Sequence, residues 1–92
     1  MELSLADFEA FVGETYEIVF ANGTISIVLE KAEGLPRSMR EAGAFRLEWR
    51  GPAEPVLVQA IYRLQRGEQL FDMFIVPVGR DARGTLYEAI FN

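Results

Sequence analysis

The chain lacks cysteine and histidine altogether and has a single lysine among its 92 residues. Without cysteine there is no disulfide and no thiolate nucleophile; without histidine there is no imidazole base, and no Cys/His zinc site. A serine nucleophile then needs a lysine as its base, and Lys31 stands in no Ser-x-x-Lys arrangement, so Ser38 between Arg37 and Arg40 stays unactivated. No Gly-x-Gly-x-x-Gly and no phosphate loop occurs. No apolar run approaches the ~20 residues of a membrane helix, and no basic start with an apolar segment marks a secretory signal. The expectation is a cytoplasmic protein that carries neither metal nor cofactor and contacts no membrane.

What the chain does have is apolar: half of its residues are hydrophobic and 12% are aromatic, which argues for a packed core rather than disorder. At this length a chain hides about 64% of its unfolded surface, enough for one small domain spanning residues 1–92. The net charge of −5 is uneven. Residues 1–33 carry seven acids against Lys31, while residues 34–92 carry eight arginines against seven acids. A nucleic-acid surface needs a basic face, so this balance speaks against such a partner.

Ser4-Leu5-Ala6-Asp7 has the form of a capping box with Asp in the Glu position, and Leu5, Phe8, Phe11 and Val12 follow at helical spacing before Gly13. The spacing predicts a helix over residues 4–11, within an N-terminal unit of residues 1–13. From residue 14 the period becomes two. Tyr16, Ile18 and Phe20 alternate up to Asn22-Gly23, and Ile25, Ile27 and Leu29 follow it. Read as a type I′ turn, Asn-Gly pairs Phe20 with Ile25, Ile18 with Ile27 and Tyr16 with Leu29, all on one face. Residues 34–43 lose the alternation and read as a mobile loop. Phe45, Leu47 and Trp49 then alternate with Arg46, Glu48 and Arg50 until Pro52 and Pro55 break the strand.

Strands over 56–66 and 69–78 flank Gly67-Glu68, which suits a type II′ turn. That register pairs Leu64 with Phe71, Tyr62 with Met73 and Ala60 with Ile75 on one face. On the other it pairs Arg63 with Asp72 and Ile61 with Phe74. Pro77 ends the strand or marks an edge, Asp81-Ala82-Arg83-Gly84 fits a type I turn, and Thr85 to Phe91 form the last strand. The fold class is therefore mainly β: a six-stranded antiparallel barrel or sandwich over residues 14–92 with a short N-terminal helix.

Several stretches, Leu-Ala-Asp-Phe-Glu (5–9), Val-Gly-Glu-Thr-Tyr (12–16), Arg-Gly-Pro-Ala-Glu-Pro-Val-Leu (50–57), Ile-Tyr-Arg-Leu (61–64), Phe-Ile-Val-Pro-Val-Gly (74–79) and Tyr-Glu-Ala-Ile-Phe-Asn (87–92), carry a family resemblance. The chain resembles a family of small bacterial proteins catalogued as a domain of unknown function. The resemblance covers nearly the whole chain and implies an association with phage-tail-like assemblies. It implies no activity, cofactor or catalytic residue.

The reactive groups present have plainer roles. Glu30 and Glu33 near a strand end are solvated acids rather than a glycosidase pair. Asp81 belongs to its turn and lacks the second acid of a calcium loop. In Phe45–Arg50 the aromatics and arginines fall on opposite faces, unlike the shared face on which single-strand binders stack bases. The informative oddity is the strand over 69–78. Phe71, Met73 and Ile75 fill one face, while Leu70, Phe74 and Val76 occupy the other beside Ile61. The second face must be covered by the N-terminal helix, by another chain or by a ligand. The candidate interface is therefore Ile61, Arg63, Leu70, Asp72, Phe74 and Val76. Its expected occupant is a protein partner or a second copy in a homo-oligomer. The leading expectation is a non-enzymatic structural or interaction module. The alternative is a small apolar-ligand barrel lined by Tyr16, Phe20, Trp49 and Tyr62.

Overall fold

The computed structural model describes residues 3–36 and 43–92. One helical turn, α1 (Ala6–Glu9), precedes β1 (Thr15–Phe20), β2 (Gly23–Gly34), β3 (Phe45–Gly51), β4 (Ala60–Arg66), β5 (Gln69–Asp81) and β6 (Gly84–Phe91). The strands close into an antiparallel barrel in the order β1-β2-β3-β6-β5-β4. Two three-stranded meanders are thus sewn together twice, by β3 against β6 and by β1 against β4. Of the two architectures the sequence allows, the barrel is the one formed.

The inward positions follow the period-two pattern. Tyr16, Ile18, Ile27, Leu29, Phe45, Leu47, Trp49, Leu64, Ile75 and Tyr87 are all at most 1% exposed and fill the barrel. At one end Phe8 of α1 plugs the interior. Its ring lies 5.3 Å from Phe71, 6.0 Å from Phe45 and 6.4 Å from Phe91, while Phe45 and Phe91 stack at 4.4 Å. A single turn has no independent stability, so burial of Phe8 holds it. The helix is shorter than residues 4–11 because only half the capping box forms: the Asp7 carboxylate accepts the Ser4 N–H at 2.7 Å, and the Ser4 hydroxyl turns to Asp7 instead of capping an N–H. Gly13 takes a positive φ of 95° and donates its N–H to the Leu29 carbonyl, which starts the barrel.

The β1–β2 register departs from the Asn-Gly expectation by two residues. Phe20 pairs with Gly23, Ile18 with Ile25 and Tyr16 with Ile27. Among the described residues, none other than glycine has a positive φ, so Asn22 does not adopt the type I′ geometry, and the turn moves back onto Ala21-Asn22 with Gly23 (φ +147°) behind it. The apolar residues keep their faces, since a slip of two preserves parity. The β4–β5 register is the one the sequence predicts, from Ala60↔Ile75 to Arg66↔Gln69. Gly67 has φ +62° and Glu68 does not have a positive φ, as a type II′ turn requires.

A bulge at Glu30 resets β2. Leu29 faces Trp49, Lys31 faces Glu48 and Ala32 faces Leu47, so the lysine that alternation would send inward stays outside. β5 does not end at Pro77. A second irregularity, between Pro77 and Gly79, accommodates the missing N–H, and the strand runs on to Asp81. β4 is shorter than residues 56–66, because phenols rather than a ladder hold the chain ahead of it: the Leu57 N–H donates to Tyr87 Oη at 2.9 Å, and the Tyr62 hydroxyl donates to the Val58 carbonyl. Of the loop expected over 34–43, residues 37–42 lie outside the described residues. At its flank the Leu35 N–H donates to the Ala44 carbonyl at 2.9 Å.

Candidate functional site

The outside of the barrel divides into two kinds of surface. On β2, β3 and β6 it is charged and internally paired. The Arg46 guanidinium donates to Glu88 (2.8 Å), Glu48 (3.0 Å) and Glu33. These bonds, those to Glu88 and Glu48 foremost, push its pKa up. Arg50 bridges Asp81 (2.7 Å) and Glu30 (3.4 Å), and Arg83 also donates to Glu30. Glu30 and Glu33 are therefore each engaged by arginine. Asp81 closes its turn by accepting the Arg83 N–H at 2.8 Å. That backbone bond, helped by Arg50, holds the Asp81 carboxyl below the usual range.

On β4 and β5 the outside is apolar around one ion pair. Ile61 is 71% exposed, Leu70 56% and Phe74 52%, while Val76 is half-buried. Ile61 faces Phe74, Gln65 faces Leu70, and between these pairs Arg63 faces Asp72. The Arg63 guanidinium grips Asp72 with two bonds, at 2.9 and 3.2 Å, and lowers its pKa. All six candidate interface residues thus share one face. α1 does not lie across it. The helix spends Phe8 on the barrel end and leaves Ile61, Leu70 and Phe74 more than half exposed, so of the covers the sequence allows, the helix does not serve for these three.

The face extends further than the sequence reading. Val76 pairs with Glu88, and Ile90 lies two residues further along β6 on the same outward side, opposite Arg46 of β3. Ile90 is 50% exposed, so β6 adds an exposed apolar side chain to the outward Ile61–Phe74 pair of β4 and β5. Alternation with Tyr87, Ala89 and Phe91 already marked Ile90 as outward; the register shift between Pro77 and Gly79, which resets the pairing begun at the Asp81–Gly84 turn, was the missing information. At the turn end of the hairpin the face opens into a groove of about 490 Å³ lined by Leu70, Phe71, Phe11 and Arg66 among others. There the Arg66 guanidinium lies 3.5 Å over the Phe11 ring.

Tyr16 and Trp49 pack edge to face at 4.7 Å in the core, and Phe20 and Tyr62 pack on each other at 6.0 Å. Burial raises the Tyr16 pKa, with the nearby Arg66 guanidinium pulling the other way. Among the described residues, no cluster of acids is suited to hold a metal ion, and no helix is long and apolar enough to cross a membrane.

A family model described as Domain of unknown function (DUF6916) matches residues 3–91. The chain belongs to that family. Comparison with curated proteins and with solved structures returns no match. The DUF6916 match spans α1 and all six strands, so the aromatic plug, both hairpins and the apolar face of β4 and β5 fall within the family's own domain.

Proposed function

We propose that this DUF6916 domain is a non-enzymatic structural or protein–protein interaction module whose contact surface is the outer face of β4, β5 and β6. The observation that carries the reading is the cross-strand pair Ile61–Phe74, exposed at 71% and 52%, with Leu70 exposed at 56% on the same face. Burying one such side chain is worth ~1.5–3 kcal/mol, and a cluster of exposed apolar side chains on a small domain is the usual mark of a docking surface. The Arg63–Asp72 pair sits between the apolar side chains, and the Arg46 cluster stands on the β6 side as a polar rim, where charge sets specificity more than affinity. We extend the proposal to a role as an accessory of a phage-tail-like assembly in the bacterial cytoplasm, which is what the resemblance read in the sequence implies.

A photo-crosslinking amino acid at position 74, with position 31 on the opposite side of the barrel as control, tests the contact surface in cells. Adducts to a protein chain from position 74 and none from position 31 are expected. Equal labelling from both positions, or none from position 74, refutes the reading.

A further inference from the structure

We infer that the occupant of this face is a second copy of the chain, packed about a twofold axis that runs along the β4–β5 hairpin between its two strands. The inference rests on the face being a protein contact surface and names its partner. Self-complementarity carries it. A twofold axis lying in the contact plane and parallel to the strands sets β4 over the partner's β5, so each residue meets the counterpart of its own ladder partner. Arg63 then faces the partner's Asp72, Ile61 faces the partner's Phe74, and Gln65 faces the partner's Leu70. The two ion pairs stack head to tail, giving each guanidinium a second carboxylate. An axis across the strands is the other possibility, and it sets Arg63 over the partner's Arg63 and Asp72 over the partner's Asp72. Charge selects the first arrangement.

The remaining features agree with it. Sheets stack about 10 Å apart with strands within about 30° of parallel, which this axis permits. The pair at the centre of the face is neutral, so the net charge of −5 is not concentrated where the copies meet. The seven residues of β4 span about 23 Å, which makes a small interface, and association in the micromolar range is expected.

Charge reversal tests the pairing directly, and Arg63 and Asp72 are both more than half exposed, so neither change disturbs the core. Sedimentation of the wild type from about 1 to 500 µM should show mass rising from 10.4 kDa toward twice that value. Arg63→Asp and Asp72→Arg, each facing its own charge across the axis, should self-associate at least about 100-fold more weakly. An equimolar mixture of the two variants should dimerise again, as should the double exchange, which also serves as the folding control. In this cysteine-free chain, Glu68→Cys should join to its own copy through a short bismaleimide, because the axis sets turn beside turn. A wild type that stays monomeric throughout, or a mixture that fails to pair, overturns the inference. A dimer whose position-68 thiols do not join overturns the axis. Monomeric wild type that still gives position-74 adducts to a different protein removes the second copy and leaves the contact surface standing.

Discussion

Replacing Gly84 by alanine should be among the most damaging single-methyl changes this protein can suffer. A Cβ built there falls 2.1 Å from the Gly51 carbonyl oxygen, and the residue sits at φ +119°. Two costs add. A side chain held at such a φ costs ~1–3 kcal/mol, and overpacking against a fixed neighbour costs ~1–3 kcal/mol more. The neighbour here is backbone at the Gly51↔Thr85 end of the β3–β6 ladder, so relief requires parting one of the two seams that close the barrel. Two other glycines separate the terms. Gly67 has φ +62° with nothing within 4 Å of its Cβ position, so Gly67→Ala carries the conformational cost alone. Gly79 has open space and no positive φ, so Gly79→Ala should be neutral or stabilise by ~0.4–1 kcal/mol through the unfolded chain. For a domain of this size 1 kcal/mol moves Tm by roughly 4–8 °C. Thermal unfolding followed by circular dichroism should therefore rank Gly79→Ala at or above wild type, Gly67→Ala lower by at least about 5 °C, and Gly84→Ala lower by at least about 12 °C. If Gly84→Ala melts with or above Gly67→Ala, the contact with Gly51 does not constrain the seam and the reasoning is wrong.

Phe74→Asp should leave the fold intact, its Tm within about 5 °C of wild type, because the side chain is half exposed; collapse of the far-ultraviolet spectrum would place Phe74 in the core instead. Tyr87→Phe removes the acceptor of the Leu57 N–H and should cost ~1–3 kcal/mol in denaturant unfolding, whereas Tyr16→Phe, whose hydroxyl is buried without a partner, should cost nothing measurable. Burial raises the Tyr16 pKa, so the neutral phenol carries no ionisation penalty below the unfolded value of about 10, and stability falls as pH climbs past that value toward the folded one; Tyr16→Phe should flatten the alkaline limb of the stability profile. Asp72 and Asp81 are held below the ordinary carboxylate value, so what they contribute is present at neutral pH and lost as pH falls below about 4; carboxyl chemical shifts followed by NMR should show both titrating late.

What was legible in the sequence was whatever a local rule determines. Period two decides which side chain faces in, and Phe45, Leu47 and Trp49 are all fully buried as their alternation requires. Gly67 is the first central residue of a turn that demands positive φ there, so the β4–β5 register followed from one residue. Asn22-Gly23 carries the same kind of signal but leaves two choices of which pair turns. Those choices differ by two in register, and the apolar pattern is blind to a slip of two. Hydrophobicity had no vote there, and the φ of Asn22 decided. The helix stripe of Leu5, Phe8, Phe11 and Val12 pointed to a packed helix, yet nothing local says whether it packs on a barrel wall or plugs a barrel end. That depended on Phe45, Phe71 and Phe91 converging from three strands. The candidate face was legible as far as one hairpin reaches, and Ile90 fell outside because the shift between Pro77 and Gly79 breaks the register that the Asp81–Gly84 turn begins.

The closure of the barrel bears on how the molecule can associate. An open sheet offers unpaired N–H and C=O groups along its edges, and strand addition is then the easiest route to a partner. Here β1 pairs with β4 and β3 with β6, which takes that route away and leaves face-to-face packing. A face can serve only if its polar groups stay satisfied once water leaves. On β2, β3 and β6 the Arg46 and Arg50 networks meet their carboxylates within the chain, and burying Glu33, Glu48 and Glu88 around one guanidinium would strand negative charge. On β4 and β5 the charge is a balanced pair, and the side chains above and below it gain from leaving water. Among the described residues, the same sequence that makes the barrel's interior leaves on β4 and β5 an exterior face on which dehydration is favourable, and that asymmetry is the reason for proposing the contact surface on the second hairpin rather than on the first.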